Sequence, residues 1–160
     1  MAIKQGERVP DIKVIEMRDG QPAPTTLAEL SAGRRLVVFA VPGAFTPTCT
    51  AKHLPGYVDR AAELRAKGVG EVVCLSVNDA FVMDAWGRQA GAAGKVRMLG
   101  DGNGELTRAL GLTMDGSKFG LGERSQRYAM VIRDGVVESL MVEPGPGLSV
   151  SSAESVRGTL

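Results

Sequence analysis

Val41-Pro42-Gly43-Ala44-Phe45-Thr46-Pro47-Thr48-Cys49-Thr50 is the stretch whose reading decides the fold. It follows Leu36-Val37-Val38-Phe39-Ala40, a short, unbroken, β-rich apolar run that reads through Val41 as a strand buried on both faces. Pro42 and Gly43 stop that strand. Thr46 and Pro47 then open a helix, because Thr is a favoured N-cap and Pro is favoured at the first helical position. On that register Cys49, one of only two cysteines, takes the third helical position. Unpartnered backbone N–H groups and the positive end of the helix dipole meet there, and both favour a thiolate over a thiol. Thr46, three residues earlier, can face the same side and offer its hydroxyl to the sulfur or to a substrate oxygen. The plainer reading makes Thr46 a cap and Cys49 a small apolar filler. An isolated T-x-x-C would not exclude it.

Outward from this stretch the chain alternates strand and helix signals. Val9 to Met17 reads as a strand closed by a turn at Asp19-Gly20, and Thr25 or Thr26 caps a short helix over 27–30. Beyond Cys49, the apolar stripe Leu54, Tyr57, Val58, Ala61, Ala62 and Leu64 marks a core-facing helix that Gly68 ends. Pro55 inside it should kink it, since it removes a hydrogen bond and crowds the preceding turn. A second buried strand spans 71–77, then Asn78 or Asp79 caps a helix through Phe81 and Trp86 that ends near Gly91. A short strand at 96–99 leads to a turn at 101–104 and a helix with Leu106, Ala109 and Leu110, closed by Gly111. Residues 113–125 are Gly-rich and expected to be irregular. Strands at 128–132 and 136–142 are joined by Asp134-Gly135, a two-residue hairpin signal. After Pro144-Gly145-Pro146-Gly147 a weak short helix closes the chain. This order predicts one α/β domain over residues 1–160, with a central mixed sheet flanked by helices and a C-terminal β-hairpin: the thioredoxin fold. The thioredoxin motif would be C-x-x-C, and here Thr46 stands in place of its first cysteine. A dithiol for disulfide exchange is therefore missing.

Composition narrows the function. At 160 residues one independent core is expected. A net charge of +1 without a basic stripe argues against nucleic acid or an anionic membrane as partner. No apolar run approaches the roughly 20 residues needed to span a bilayer, and Met1 to Glu7 lacks a signal-peptide apolar region. Two cysteines and one histidine supply at most three of the four ligands a structural zinc wants. So few cysteines fit a reducing compartment, and a cytoplasmic protein is expected.

The longer string Pro42-Gly-Ala-Phe-Thr-Pro-Thr-Cys-Thr-Ala-Lys-His-Leu-Pro-Gly-Tyr57 closely resembles the active-site segment of the peroxiredoxins, more narrowly of the peroxiredoxin-5 (type II, redoxin) subfamily. The likeness continues through Val72 to Arg88 (V-V-C-L-S-V-N-D-A-F-V-M-D-A-W-G-R) and Arg127 to Gly135 (R-Y-A-M-V-I-R-D-G), in the family's order. The resemblance implies a thiol peroxidase that needs no metal, haem or flavin. It would reduce hydrogen peroxide and small alkyl hydroperoxides through a sulfenic acid, the first rung of the cysteine oxidation ladder. Cys49 matches the peroxidatic cysteine, Thr46 the family's threonine, Pro42 the proline that shields the pocket, and Arg127 the arginine that polarises peroxide and thiolate. A homodimer is also implied. Some members carry a resolving cysteine near the C-terminus. The matching stretch, Gly147 to Ser152, has none, which favours a one-cysteine cycle closed by an external thiol, glutathione with glutaredoxin or thioredoxin.

Each residue also has a bland reading. Arg127, like Arg124 and Arg133, would ordinarily be a solvated strand-edge residue, and Pro42 is first of all a strand terminator. His53, four residues after Cys49, could support a thiolate as an imidazolium or simply bond backbone and pack. Phe45 could wall a substrate pocket or pack, and Phe81 and Trp86 read as core or dimer contacts. Cys74, mid-strand, is read as a buried small hydrophobe. It should lie three residues below the level of Cys49, on the order of 10 Å, whereas a disulfide needs Cα atoms within about 7 Å. Two rivals remain: a thioredoxin-fold disulfide reductase, which the missing C-x-x-C disfavours, and a non-catalytic redox sensor that is oxidised once at Cys49.

Overall fold

The computed structural model describes residues 1–160. Strand β1 (Val14–Arg18) turns back into β2 (Gln21–Thr25), and α1 (Leu27–Ser31) follows, capped by Thr26, whose hydroxyl accepts from Glu29 N. β3 (Arg35–Ala40) leads through the Pro42–Thr46 loop into a helical segment whose turn Cys49–His53 is π-helical and continues as α2 (Leu54–Ala66). β4 (Val69–Ser76), α3 (Ala80–Gln89), β5 (Arg97–Gly100) and α4 (Glu105–Leu110) complete the parallel half. β6 (Thr113–Asp115) and β7 (Glu123–Ser125) form a small antiparallel ribbon, and β8 (Tyr128–Arg133), β9 (Val136–Val142) and α5 (Ala153–Arg157) close the chain.

The seven-stranded sheet runs β2-β1-β5-β4-β3-β8-β9. β3, β4 and β5 are parallel, and β1 and β8 flank them antiparallel, so the sheet is mixed as expected. Alternate residues of the central strands feed two cores, as the two-residue period demands. Val37, Phe39, Val72, Cys74, Ala129 and Val131 face Leu54, Tyr57, Leu64, Met83, Trp86 and Val156 of α2, α3 and α5. Leu36, Val38, Val73, Leu75, Met130 and Ile132 face Leu27, Leu30, Leu106 and Leu110 of α1 and α4. The α/β thioredoxin fold follows.

Several local expectations shift. The first strand begins only at Val14; Gly6, Glu7 and Val9 instead hydrogen-bond the β8–β9 hairpin at Gly135 and Val137. β2 was not expected, because it contains Pro22 and Pro24. Both prolines share one parity in the β1–β2 register and β2 is the sheet edge, so each missing N–H falls where no ladder bond is required. Residues 113–125 are less irregular than their glycines imply, since they hold the β6–β7 ribbon. Asp79 rather than Asn78 caps α3, accepting from Val82 N at 2.8 Å. Ala62 leaves the buried stripe of α2 and is exposed. Pro55 does not bend the helix as a simple kink. The chain widens just before it, with Leu54 N bonding Cys49 O five residues back. A π-turn absorbs the strain because Pro55 has no N–H to give and its ring would crowd the carbonyl four residues earlier. The Asp134-Gly135 hairpin forms with both residues at positive φ, 49° and 81°, as a type I′ turn requires.

Candidate active site

The loop after β3 sets the site. Space beside Gly43 is tight: a Cβ would meet Arg124 Nη1 at 3.0 Å and Thr46 Cγ2 at 3.1 Å, so either side chain would have to give by a few tenths of an ångström. Ala44 N donates to Asn78 Oδ1 at 3.0 Å, which also takes the Ser76 hydroxyl, so the end of β4 braces the loop. Arg124 is not the solvated edge residue expected of it. It donates to Leu121 O at 2.9 Å and Pro42 O at 3.3 Å, tying the ribbon to the loop. Phe45, at φ 64°, lies 48% exposed with its ring 6.3 Å from that of Trp86 and does not line the cavity described below.

Thr46 sits at the helix start, but its hydroxyl caps no amide. It donates to Gly43 O at 2.6 Å. With its proton committed there, the oxygen is left as an acceptor. Pro47 begins the helix, and Cys49 lies on the π-turn with no exposed surface. Arg127, just before β8, is 6% exposed and reaches across the sheet: Nη2 donates to Cys49 Sγ at 3.1 Å and Nη1 to His53 Nδ1 at 2.9 Å. Its Nε–H is buried without a partner. The guanidinium is thus a charged donor to sulfur, the arrangement that stabilises negative charge there, with N–H capacity to spare.

His53 is neutral. Burial is the main cause, Arg127 adds to it against the pull of Ser151 O and Glu143, and the imidazole is brought down to about 4. Of the two roles open to His53, the structure shows the backbone-bonding one: His53 Nε2 meets Ser151 O at 3.0 Å, and Tyr57 OH donates to the same carbonyl at 2.7 Å. Burial pushes the Glu143 carboxyl up, but hydrogen bonds from Ser151 and Ser149 outweigh it and hold it at about 2. Sequence reasoning assigned Ser151 and Glu143 no role, and placed Tyr57 only in the apolar stripe of α2. The one hint was an acid and a run of serines on either side of Pro-Gly-Pro-Gly.

An open cavity of about 630 Å³ is lined by Pro42, Thr46, Arg127, Met114, Phe119 and Pro144, among others. Three of the four expected site residues face it, and the fourth, Cys49, meets it through Arg127. Cys74 pairs with Phe39 in the β3–β4 register, fully buried, and burial pushes its thiol well up. Both cysteines are free thiols. No three His, Cys, Asp or Glu side chains are grouped to hold a metal ion, and no helix is long and apolar enough to cross a membrane.

Fold and site define a thiol enzyme on a thioredoxin scaffold. The redoxin family pattern matches residues 4–156. The chain is 52% identical over 159 residues to peroxiredoxin-2E-2, chloroplastic, of Oryza sativa subsp. japonica, which covers 96% of this chain and 71% of that one. Reduced Prx3 of Vibrio vulnificus in complex with H2O2 is 47% identical with a TM-score of 0.92, covering 99% of each chain. A Burkholderia cenocepacia structure, provisionally described as a thioredoxin reductase, is 51% identical with a TM-score of 0.96, covering 100% of this chain and 99% of that one. The chain belongs to the peroxiredoxin family, in its type II, peroxiredoxin-5-like branch, and is a thiol-dependent peroxidase.

Proposed function

We propose that Cys49 is the peroxidatic cysteine of a one-cysteine cycle that reduces hydrogen peroxide and small alkyl hydroperoxides. The observation that carries this is the Arg127 guanidinium at 3.1 Å from Cys49 Sγ, at the wall of an open cavity. The thiolate attacks the terminal oxygen of ROOH, the S–O bond forms as the O–O bond breaks, and RO⁻ leaves. It takes up from solvent the proton that the Cys49 thiol released on ionising, and becomes ROH. Arg127, through Nε–H and its remaining Nη protons, stabilises the charge that moves from sulfur to the leaving oxygen. Thr46 Oγ1 accepts a hydrogen bond from the peroxide O–H, and Pro42 shields the sulfur from bulk water. An external thiol R′SH then converts the sulfenic acid to a mixed disulfide and water, and a second R′SH releases Cys49–SH and R′SSR′. Glutathione with glutaredoxin, or thioredoxin, is the reductant class we propose, in a reducing compartment such as the cytoplasm. For the assembly we propose a homodimer, supported by the rings of Phe45 and Phe81, which are 48% and 63% exposed.

Support for the one-cysteine cycle comes from Cys74, which is fully buried on β4 with its thiol pushed well up by burial, so that it offers little thiolate to resolve oxidised Cys49. The test is one equivalent of peroxide followed by intact-mass and peptide mapping without reductant. The expected product is one added oxygen on Cys49, or a Cys49 adduct of added thiol. Folded Cys74→Ser should retain turnover, apart from packing loss from a buried hydroxyl. A dominant Cys49–Cys74 disulfide within one chain would overturn the cycle. Turnover with excess thiol separates the enzyme from a sensor, which would react once and stop.

A further inference from the structure

The peroxidase chemistry leaves His53, Ser151 and Glu143 without a part, although each is buried. We propose that His53 is a positioning residue that holds Arg127 against Cys49, as a neutral imidazole fixed in turn by the loop that Glu143 gathers. This rests on the Cys49 reading above.

The hydrogen-bond roles leave no freedom. A guanidinium nitrogen can only donate, so His53 Nδ1, 2.9 Å from Arg127 Nη1, must accept. A neutral imidazole then carries its proton on Nε2, which donates to Ser151 O at 3.0 Å. A second ring proton would set N–H against N–H, and burial keeps it off down to about pH 4. Ser151 O is itself immobilised. Tyr57 OH donates to it, and the Glu143 carboxylate takes five donors from the same loop: Ser149 N and Oγ, Val150 N, and Ser151 N and Oγ, all within 2.7–3.0 Å. Glu143 N also donates to Arg127 O at 2.9 Å. One residue therefore secures Arg127 at its backbone directly and at its guanidinium through the loop and His53. The groups facing His53 are Arg127 before β8, Glu143 after β9, Tyr57 on α2, Phe39 on β3 and Cys49 on its own turn. With Nη1 pinned, Nη2 is aimed at sulfur and the remaining donors are left for peroxide.

Two variants divide the roles of the ring. Asn places its amide where Nδ1 stands and keeps an acceptor for Arg127; Gln reaches to Nε2 and keeps only the contact with Ser151. Single-turnover oxidation by hydrogen peroxide, followed in stopped flow by the lone Trp86, gives the rate. His53→Gln and His53→Leu should fall about tenfold or more, the range for losing a bond to a charged group. His53→Asn should stay within a few-fold of the parent. His53→Gln/Arg127→Ala should be no slower than Arg127→Ala, because His53 acts only through that arginine. Parent-like rates for folded His53→Gln, a slow folded His53→Asn, or additive losses in the double variant would each overturn the proposal. Should His53→Leu not fold, the Asn and Gln pair decides. Alkylation of Cys49 by iodoacetamide, with the parent and His53→Asn ahead of His53→Gln, reads the same coupling without peroxide. That order in a protein that consumes no peroxide would sink the peroxidase reading and leave the positioning of Arg127 standing.

Discussion

At the scale of single residues, the proposed reaction depends on which atoms carry protons around Cys49 Sγ. Serine in its place stays protonated at neutral pH and cannot displace a peroxide oxygen, so Cys49→Ser should abolish peroxide consumption in a coupled thiol assay; a substantial residual rate would sink the assignment. Arg127 supplies a buried charged donor to the sulfur at the wall of the open cavity. Such a bond is worth about 1.5–3 kcal/mol, so Arg127→Ala should slow the oxidation step roughly ten- to 150-fold. Thr46 acts differently. Its proton is held by Gly43 O at 2.6 Å, so Thr46→Val removes the acceptor proposed for the peroxide and a brace of the loop together. Thr46→Ser keeps both and should oxidise near the parent rate in stopped flow. Equal rates for the Val and Ser variants would show that the hydroxyl plays no part.

Among the elements, the π-turn Cys49–His53 is where local strain meets the site. One extra residue in that turn sets Cys49 and His53 so that both reach the same guanidinium, through Nη2 and Nη1. Pro55 is the local cause, since it can complete neither an α nor a π hydrogen bond to the preceding turn. Pro55→Ala should let the turn relax towards α-helix, with a thermal midpoint equal to or above that of the parent. The peroxide oxidation rate should drop, because the Sγ to Nη2 contact is disturbed. A more stable variant that reacts at the parent rate would show that the π-turn is not needed by the site. The cap of α3 is a simpler element. Asp79→Ala removes the bond to Val82 N and should cost about 1 kcal/mol in chemical denaturation, with no change in oxidation rate.

The whole molecule couples this site to pH through folding. His53 sits at about 4 in the folded chain, against about 6.5 for a free imidazole. Between these values the unfolded chain binds more protons than the folded one, so stability rises with pH across that window. The contribution is fully present above about 6.5 and is lost as pH falls towards 4, a difference of about 3 kcal/mol. Glu143, held at about 2, has the same sign over a lower window, beginning below the ordinary carboxylate value of about 4.3. Urea titrations at successive pH values should show stability falling from 6.5 to 4 in the parent and a flatter profile in His53→Asn. Matching slopes in the two proteins would show that His53 is not buried as a neutral base.

Much of this molecule is set by short-range pattern in the sequence. The apolar runs over 36–41 and 71–77 specify strands buried on both faces, the stripe at Leu54, Tyr57, Val58 and Leu64 specifies a core-facing helix, and Thr-Pro before Cys49 puts the thiol in a first helical turn. Those signals work because side-chain period, capping and proline chemistry act within a few residues of the chain. Local pattern did not foresee β2, where two prolines read as a break until a sheet edge made their missing N–H groups harmless, nor the π-turn that replaces a kink. The surroundings of the sulfur were beyond its reach altogether. Arg127 is 78 residues from Cys49, and Ser151 is 98 residues from His53. Resemblance alone had marked Arg127, and nothing had marked Ser151 or Glu143. Only the sheet brings these groups together: β3 lies antiparallel to β8 with Ala40 opposite Tyr128, so Arg127 arrives level with Val41, where the Cys49 loop begins. A guanidinium that would otherwise be solvated is buried against a thiol because strand order, which no local preference encodes, places it there.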